Sequence, residues 1–483
     1  MYNWIANIDA SPFWLGREKT QKELSWLMLN IGLSLASTRT KGLYQNWLFQ
    51  VVAIFAVGLT LAFVGCGSDA EDTENTEEAF VPEETILEVD GRQVVVLEGR
   101  LNADKMLTSA YDYLLRGAVF VEGGATLTIE AGVQIFGEQA TNGTLIIAQG
   151  SKIMAQGTAD APIVMSSDAA IGSRARGQWG GLIINGNAPT NQGVTFGEGD
   201  TGAFGGNNPA DSSGILRYVR VEYAGIEFSP DNELNGIAFQ GVGSGTIVEN
   251  VQVHMNQDDG VEMFGGTVNL KYVIVTGARD DSFDWTDGWT GKAQFLVVQQ
   301  YGDDADNGFE VDNSSKDNEA TPRSAATIYN ATLVGDPSGS ESDNGMLIRE
   351  GAAGIFANFI VTGFNKVGLD INNAATHAQA DSGKLVVKNS IFFENGKGNF
   401  GDEKDNDGFD EAAFAAANGN EETDPNLAAP FNKRAPNFTP GAGASAVSPA
   451  APPADGFFEN VNFIGGVSPS NNWTTGWTTS AQN

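Results

Sequence analysis

The chain reads as an all-β, right-handed parallel β-helix, and three observations lead there. First, short apolar–variable–apolar segments recur: Asn235–Phe239, Asp259–Met263, Asp281–Trp285, Asn307–Val311, Asn344–Ile348 and Lys366–Ile371. The first four start 22 to 26 residues apart, and a longer gap precedes the fifth. Second, each opens on a turn residue and alternates as a strand does, with two side chains on one face and one on the other. Third, a second apolar run follows each, such as Leu270–Val275 or Ile328–Val334. A unit of this length cannot bury its own apolar face, so it must stack on its neighbours. Propeller blades need about 40 residues, and sandwich hairpins would place turns about every 8–12 residues.

The elements follow in order. Trp47 to Gly65 is a near-continuous apolar run, WLFQVVAIFAVGLTLAFVG, preceded by Arg39 and Lys41. Phe63-Val64-Gly65-Cys66 ends it and resembles a bacterial lipobox, with the single Cys of the chain as the residue to be lipidated. Residues 1–65 are therefore expected to be a signal peptide; residues 1–40 are more than one needs, and a start-site artefact with Met28 as an alternative start is one reading of them. The competing reading of the run is a membrane-spanning helix. Residues 66–83 form an acidic tether; SDAEDTENTEE (68–78) cannot pack a core and resembles the export signal of surface lipoproteins, a plain spacer being the alternative. Segment 84–117 is expected to cap the first coil, residues 118–400 to form the β-helix, and 401–455 to be an insertion and extended segment. Within it, Asp410–Asn418 reads as a short helix stopped by Gly419. Residues 456–483, with Phe457, Phe458, Phe463, Trp473 and Trp477, are expected to plug the last coil. Gly/Asn/Asp-rich loops at 186–214 and 312–326 interrupt the repeat.

Composition limits the function. The 483 residues carry 61 acids, 27 bases, two His and one Cys, a formal charge of -34. Removal of residues 1–65 would leave 58 acids and 22 bases, a charge of -36. This disfavours nucleic acid, which needs Lys/Arg clusters. One Cys excludes a disulfide framework and any zinc site of several cysteines.

The acids are concentrated. Residues 258–312 hold twelve carboxylates against Lys271, Arg279 and Lys292. The repeat alignment puts Glu262, Asp284 and Glu310 in one outward column. It stacks Asp258/Asp259, Asp280/Asp281 and Asp303/Asp304 at the preceding turn. Coils about 4.8 Å apart would bring like charges together at a cost. Three readings follow: Asp capping turns, a calcium site built from these nine carboxylates, or catalysis. Asn235, Asn307 and Asn344 at equivalent turns favour capping. His254 is expected to point outward and His377 to lie in a loop. Trp285 is expected inward, and Trp289, in a turn beside the acids, is a candidate to stack on a sugar. Arg279 is a candidate ligand-binding residue or base, or else a salt-bridge partner within the ladder.

Several stretches carry a resemblance: ATLTIEAGVQIFG, GSKIMAQGTADAPIVMSS, WGGLIINGNAP, QDDGVEMFGGTVNLKYVIV, DDSFDWTDGWTGKAQF and, near the end, PPADGFFENVNFIGG and NNWTTGWT. They are similar to a family of surface lipoproteins and secreted β-helix proteins of the Bacteroidota, over about residues 84–483. The resemblance implies a surface β-helix and carries no catalytic residue. Gln257-Asp258-Asp259-Gly260 also looks like the paired-Asp motif of polygalacturonases, but the companion Gly-His-Gly and Arg-Ile-Lys motifs of that family are absent.

The expectation is a lipid-anchored protein of the outer membrane and cell surface. It would be held by acylated Cys66 and act as a non-catalytic binding or adhesion module. A calcium-supported acidic face would meet a glycan or a surface protein. The alternatives are a calcium-dependent polysaccharide lyase or glycoside hydrolase, and an accessory subunit of an outer-membrane uptake receptor.

Overall fold

The 22-to-26-residue repeat becomes one rung of a parallel ladder in the computed structural model. The model describes residues 85–89, 91–229, 232–401 and 408–483. The apolar run 47–65, Cys66 and the acidic stretch 68–78 lie outside the described residues.

The principal sheet has 26 strands. Each coil lays down three short runs. The first face is built from strands such as Ile237–Gln240, Val261–Phe264, Phe283–Thr286 and Phe309–Val311, paired in parallel in that order. Longer strands, Ile247–His254, Asn269–Thr276, Lys292–Gln299 and Ala325–Val334, then supply both other faces. One left-handed residue bends each: Asn250, Tyr272, Phe295 and Asn330, at φ 55°, 58°, 62° and 60°. Asn tolerates that conformation. Tyr272 and Phe295 do not favour it, and their rings stack on each other at 4.8 Å.

Alternation sends Ile237, Phe239, Val261, Met263, Phe283, Trp285, Phe309 and Val311 into the interior, all buried. Trp285 meets Trp289, Phe309 and Phe356 at 5.3, 5.4 and 6.0 Å between ring centroids. Burying a large apolar side chain contributes about 1.5–3 kcal/mol, so this column is a main source of cohesion between coils.

The ends differ from expectation. Strand β1 (Ile86–Val89) pairs antiparallel with β2 (Arg92–Leu101). But β2 is already parallel to Asp112–Val121, so the solenoid begins well before residue 118, and among the described strands of the principal sheet only β1 departs from the parallel pattern. Residues 456–483 do not plug the last coil. They run along the outside of the solenoid, from the second face at Glu459 across the bend at Asn330 to the third face, where the apolar side chains of Ile274, Val297 and Val334 point outward and need cover; Trp477 and Val467 bury against them. Side-chain amides hold this strap by its main chain. Gln252 exchanges two hydrogen bonds of 2.8 Å with Thr479, Gln294 does the same with Glu459, and Asn330 donates to the Phe463 carbonyl at 2.9 Å. At the far end, helix α2 (Glu411–Ala417) packs on Val367–Ile371 and Gly398–Phe400. The Asp410 carboxylate caps it by accepting from the Ala413 N–H at 2.8 Å, as the sequence predicts. A second helix, α1 (Ala374–Asp381), places His377 on a helix rather than in a loop.

Candidate functional site

The acidic residues fall into three rows on the first face. The inner turn row runs Asn235, Asp259, Asp281, Asn307, Asn344. The Asp259 carboxylate accepts the Asp281 N–H at 2.9 Å and the Asp281 carboxylate accepts the Asn307 N–H at 2.6 Å. Asn344 donates its side-chain amide to the Asn307 side-chain carbonyl at 2.9 Å. Capping therefore uses one oxygen of each acid and leaves the other available. A glycine follows four of these five turn residues, Ser282 taking its place after Asp281; at Gly260 a Cβ would lie 2.4 Å from Val275 Cγ1 and 2.6 Å from the Ser282 carbonyl.

The strand row pairs in register: Glu262 opposite Asp284, and Asp284 opposite Glu310. Neutral residues close it at both ends, Ala238 and Leu347. The outer turn row is Asp258, Asp280, Asp306 and Asp343, tied by main-chain bonds from Asp306 N–H to the Asp280 carbonyl (3.3 Å) and from Asp343 N–H to the Asp306 carbonyl (2.7 Å).

These rows bring oxygens together in three sets: Asp258/Asp259/Asp280, Asp259/Glu262/Asp284 and Asp280/Asp281/Asp306, with one oxygen from each member within 4.8 Å of the others. At that separation two carboxylates repel by about 3.5 kcal/mol at an effective dielectric near 20. Glu262, Asp259 and Asp281 are buried, and one Asp284 oxygen is buried with no hydrogen-bond partner. The Asn235 amide donates to Glu262 at 2.5 Å while its own carbonyl oxygen is buried and unpaired. Burial, reinforced by neighbouring acids, pushes Asp259, Glu262, Asp281 and Asp284 well above the usual carboxylate range. Burial likewise raises Asp258 and Asp306 to about 7.

The insertion at 186–214 lies beside this face, with Gly197 close against the Gln240 side chain. Asn185 donates to the Thr201 carbonyl at 2.8 Å and Gln149 donates to the carbonyls of Gly186 and Gly205, both at 2.9 Å. Glu198 rides on this loop near Glu233, itself desolvated with its carboxyl raised. Arg349 supplies counter-charge at the other end, paired with Glu310 and, at 2.9 Å, with Asp312.

Three sequence expectations need correction. Asp303 and Asp304 are outside the ladder: each reaches an arginine, Asp303 to Arg176 at 2.7 Å and Asp304 to Arg279. The rows continue through Asp306 and Asn307 instead. The Asn alignment pointed there, but adjacent Asp pairs drew the assignment three residues too early. Trp289 offers no sugar platform, because it is fully buried with its indole N–H on the Val268 carbonyl at 3.1 Å. Arg279 pairs with Asp304 and, at 2.9 Å, with the Gln257 side-chain carbonyl, so it is a salt-bridge partner of an acid outside the ladder, neither a free base nor a partner within the ladder. Sequence reasoning missed Glu198 and Glu233, which lie outside the repeated segments, and Asp343 and Arg349, which flank the repeated segment Asn344–Ile348 and were within reach of the same alignment. His254 does point outward, but the strap covers it; its Nδ1 lies 2.7 Å from the Thr276 hydroxyl and its Nε2 2.6 Å from the Ala481 carbonyl.

Fold and site together define an all-β parallel solenoid with an acidic ladder sunk into one face. The chain belongs to the pectate-lyase-like beta helix domain family, whose model matches residues 99–478. No curated protein and no solved structure shows significant similarity to it.

Proposed function

We propose that the protein is a surface binding module whose acidic ladder holds a divalent cation, calcium by its chemistry, and that it acts without catalysing a reaction. The observation that carries this reading is the set Asp259, Glu262 and Asp284. Three carboxylates share a space under 4.8 Å across, one oxygen has no partner, and no basic side chain pairs with any of the three among the described residues. Hard oxygen donors suit calcium, which takes about 6–8 of them, and the unpaired Asn235 carbonyl oxygen adds a neutral one of the kind such sites use. A bound cation would offset the repulsion that burial amplifies.

The surface assignment rests on the sequence. The apolar run ending at Cys66, the acidic stretch after it and the resemblance to Bacteroidota lipoproteins support export and acylation at Cys66, with anchoring in the outer membrane. Incorporation of labelled palmitate that Cys66→Ser abolishes would support the anchor; label retained in that variant would refute it. A glycan or a surface protein is the proposed ligand, the former in keeping with the pectate-lyase-like fold.

One observation favours a second reading. Asp258 and Asp306, raised to about 7 and only partly buried, have the protonation behaviour of a general acid, which a glycan-cleaving enzyme needs. A panel of acidic and neutral polysaccharides, with and without calcium, separates the two. Binding without new reducing ends or unsaturated products supports the module; products that Asp258→Ala abolishes support the enzyme.

A further inference from the structure

A second site lies at the N-terminal end of the third face. There the outward columns that carry the strap continue into a cleft of about 880 Å³ between β1 and the loop 168–174. The register is continuous: Gln252 pairs with Arg220, Arg220 with Val164 and Val164 with Gln134. Gln134 thus occupies the column in which Gln252 grips the Thr479 peptide group. Its own amide makes only a long contact of 3.5 Å to the Gly132 carbonyl.

The walls are apolar: Leu87, Val89, Leu114, Phe136, Val164 and Ile171, with Val89 50% and Ile171 85% exposed. The charged lining is balanced overall, with Arg92 paired to Asp112 at 2.6 Å and Asp168 on the loop, but on the floor two arginines meet one acid. Arg174 and Arg220 stand on either side of one buried carboxylate, Glu222, at 4.0 and 2.9 Å, and Arg174 lies over the Phe136 ring. Arg220 already donates to a strap carbonyl, that of Trp477, at 3.0 Å. Strand β1 pairs with β2 alone among the described strands, so its other edge offers main-chain groups to an added strand.

We propose that this cleft binds an extended peptide segment of a partner, with apolar side chains and a carboxylate. The segment would continue the path of the strap: its main chain meets Gln134 and the open edge of β1, its apolar side chains meet Phe136 and Ile171, and its carboxylate meets Arg174. An extended occupant is favoured over a compact one because the same face already holds an extended polypeptide through the same kind of side-chain amide.

The test uses a phage-displayed random dodecapeptide library, selected on the purified protein. Enriched peptides are then measured by fluorescence anisotropy on two variants. Gln134→Ala removes the amide, and Ile171→Glu alters an exposed loop residue that the fold does not need, so unchanged melting temperatures show both variants folded. Enrichment of sequences with an acidic residue among apolar ones, bound at least tenfold more weakly by both variants, is the expected result. No enrichment, or enriched peptides whose affinity neither variant changes, would overturn the proposal.

Discussion

Glu262 and Asp284 stand opposite each other on adjacent parallel strands, the first buried and the second half-buried, and one buried Asp284 oxygen has no hydrogen-bond partner. Parallel register forces this meeting: wherever the repeat places an acid on the outward position of consecutive coils, stacking brings the two within a strand spacing.

Replacing Asp284 by Asn should stabilise the calcium-free protein. The substitution keeps the shape, removes one buried like charge and supplies a donor; relief of about 1–3 kcal/mol is expected by analogy with the cost of an unsatisfied buried group. A higher urea midpoint in chelator, and a smaller gain on adding calcium than the unaltered protein shows, is the predicted pair of results. A lowered midpoint in chelator would contradict it.

Stability without calcium should fall as pH rises. The ladder acids hold their protons more tightly folded than unfolded, so the folded state binds more protons between the ordinary carboxylate range near 4 and the raised values of about 7 at Asp258 and Asp306. The linkage sign then gives a contribution that is fully present below the unfolded pKa and lost as pH climbs through the folded one. Melting scans in chelator from pH 5 to 8 should show a declining midpoint, and calcium should flatten the decline. A midpoint that rises across this window would refute the assignment of raised values.

Trp289→Ala should damage the core and leave ligand affinity per folded molecule alone. Its ring is buried against Trp285, and aromatic truncations of this kind cost about 3–5 kcal/mol. Chemical denaturation gives the loss; a change confined to ligand binding, with stability intact, would show the side chain to be exposed.

Removing residues 468–483 should unmask His254. Burial under the strap holds its imidazole down at about 4, and solvent should return it toward the ordinary value near 6.5. NMR titration of the imidazole resonances reads this directly. An unchanged value would mean that some other segment shields the ring.

Much of the fold was legible because stacking makes one coil repeat the next. The turn residues Asp259, Asp281 and Asn307, the inward Trp285 and the Asp410 cap all follow from alternation and local capping, which are short-range. What was not legible depends on contacts that no period encodes. Trp289 looked like a loop residue beside acids, yet the coil folds it inward, where its indole N–H finds the Val268 carbonyl. Asp304 looked like a ladder rung, yet Arg279 draws it to a separate short strand. The strap could not be placed because its partners, Gln252 and Gln294, lie 227 and 165 residues earlier and show no signal beyond an outward amide.

The central claim is that the ladder is a cation site, and calorimetric titration of calcium into the purified, chelator-treated protein at pH 7.5 tests it most directly. Saturable binding at millimolar calcium or below, lost in the triple variant Asp259→Asn, Glu262→Gln, Asp284→Asn while that variant remains folded, is the predicted result. The absence of heat up to millimolar calcium, together with an unchanged melting temperature, would contradict it and leave the ladder as turn-capping residues that carry their own protons.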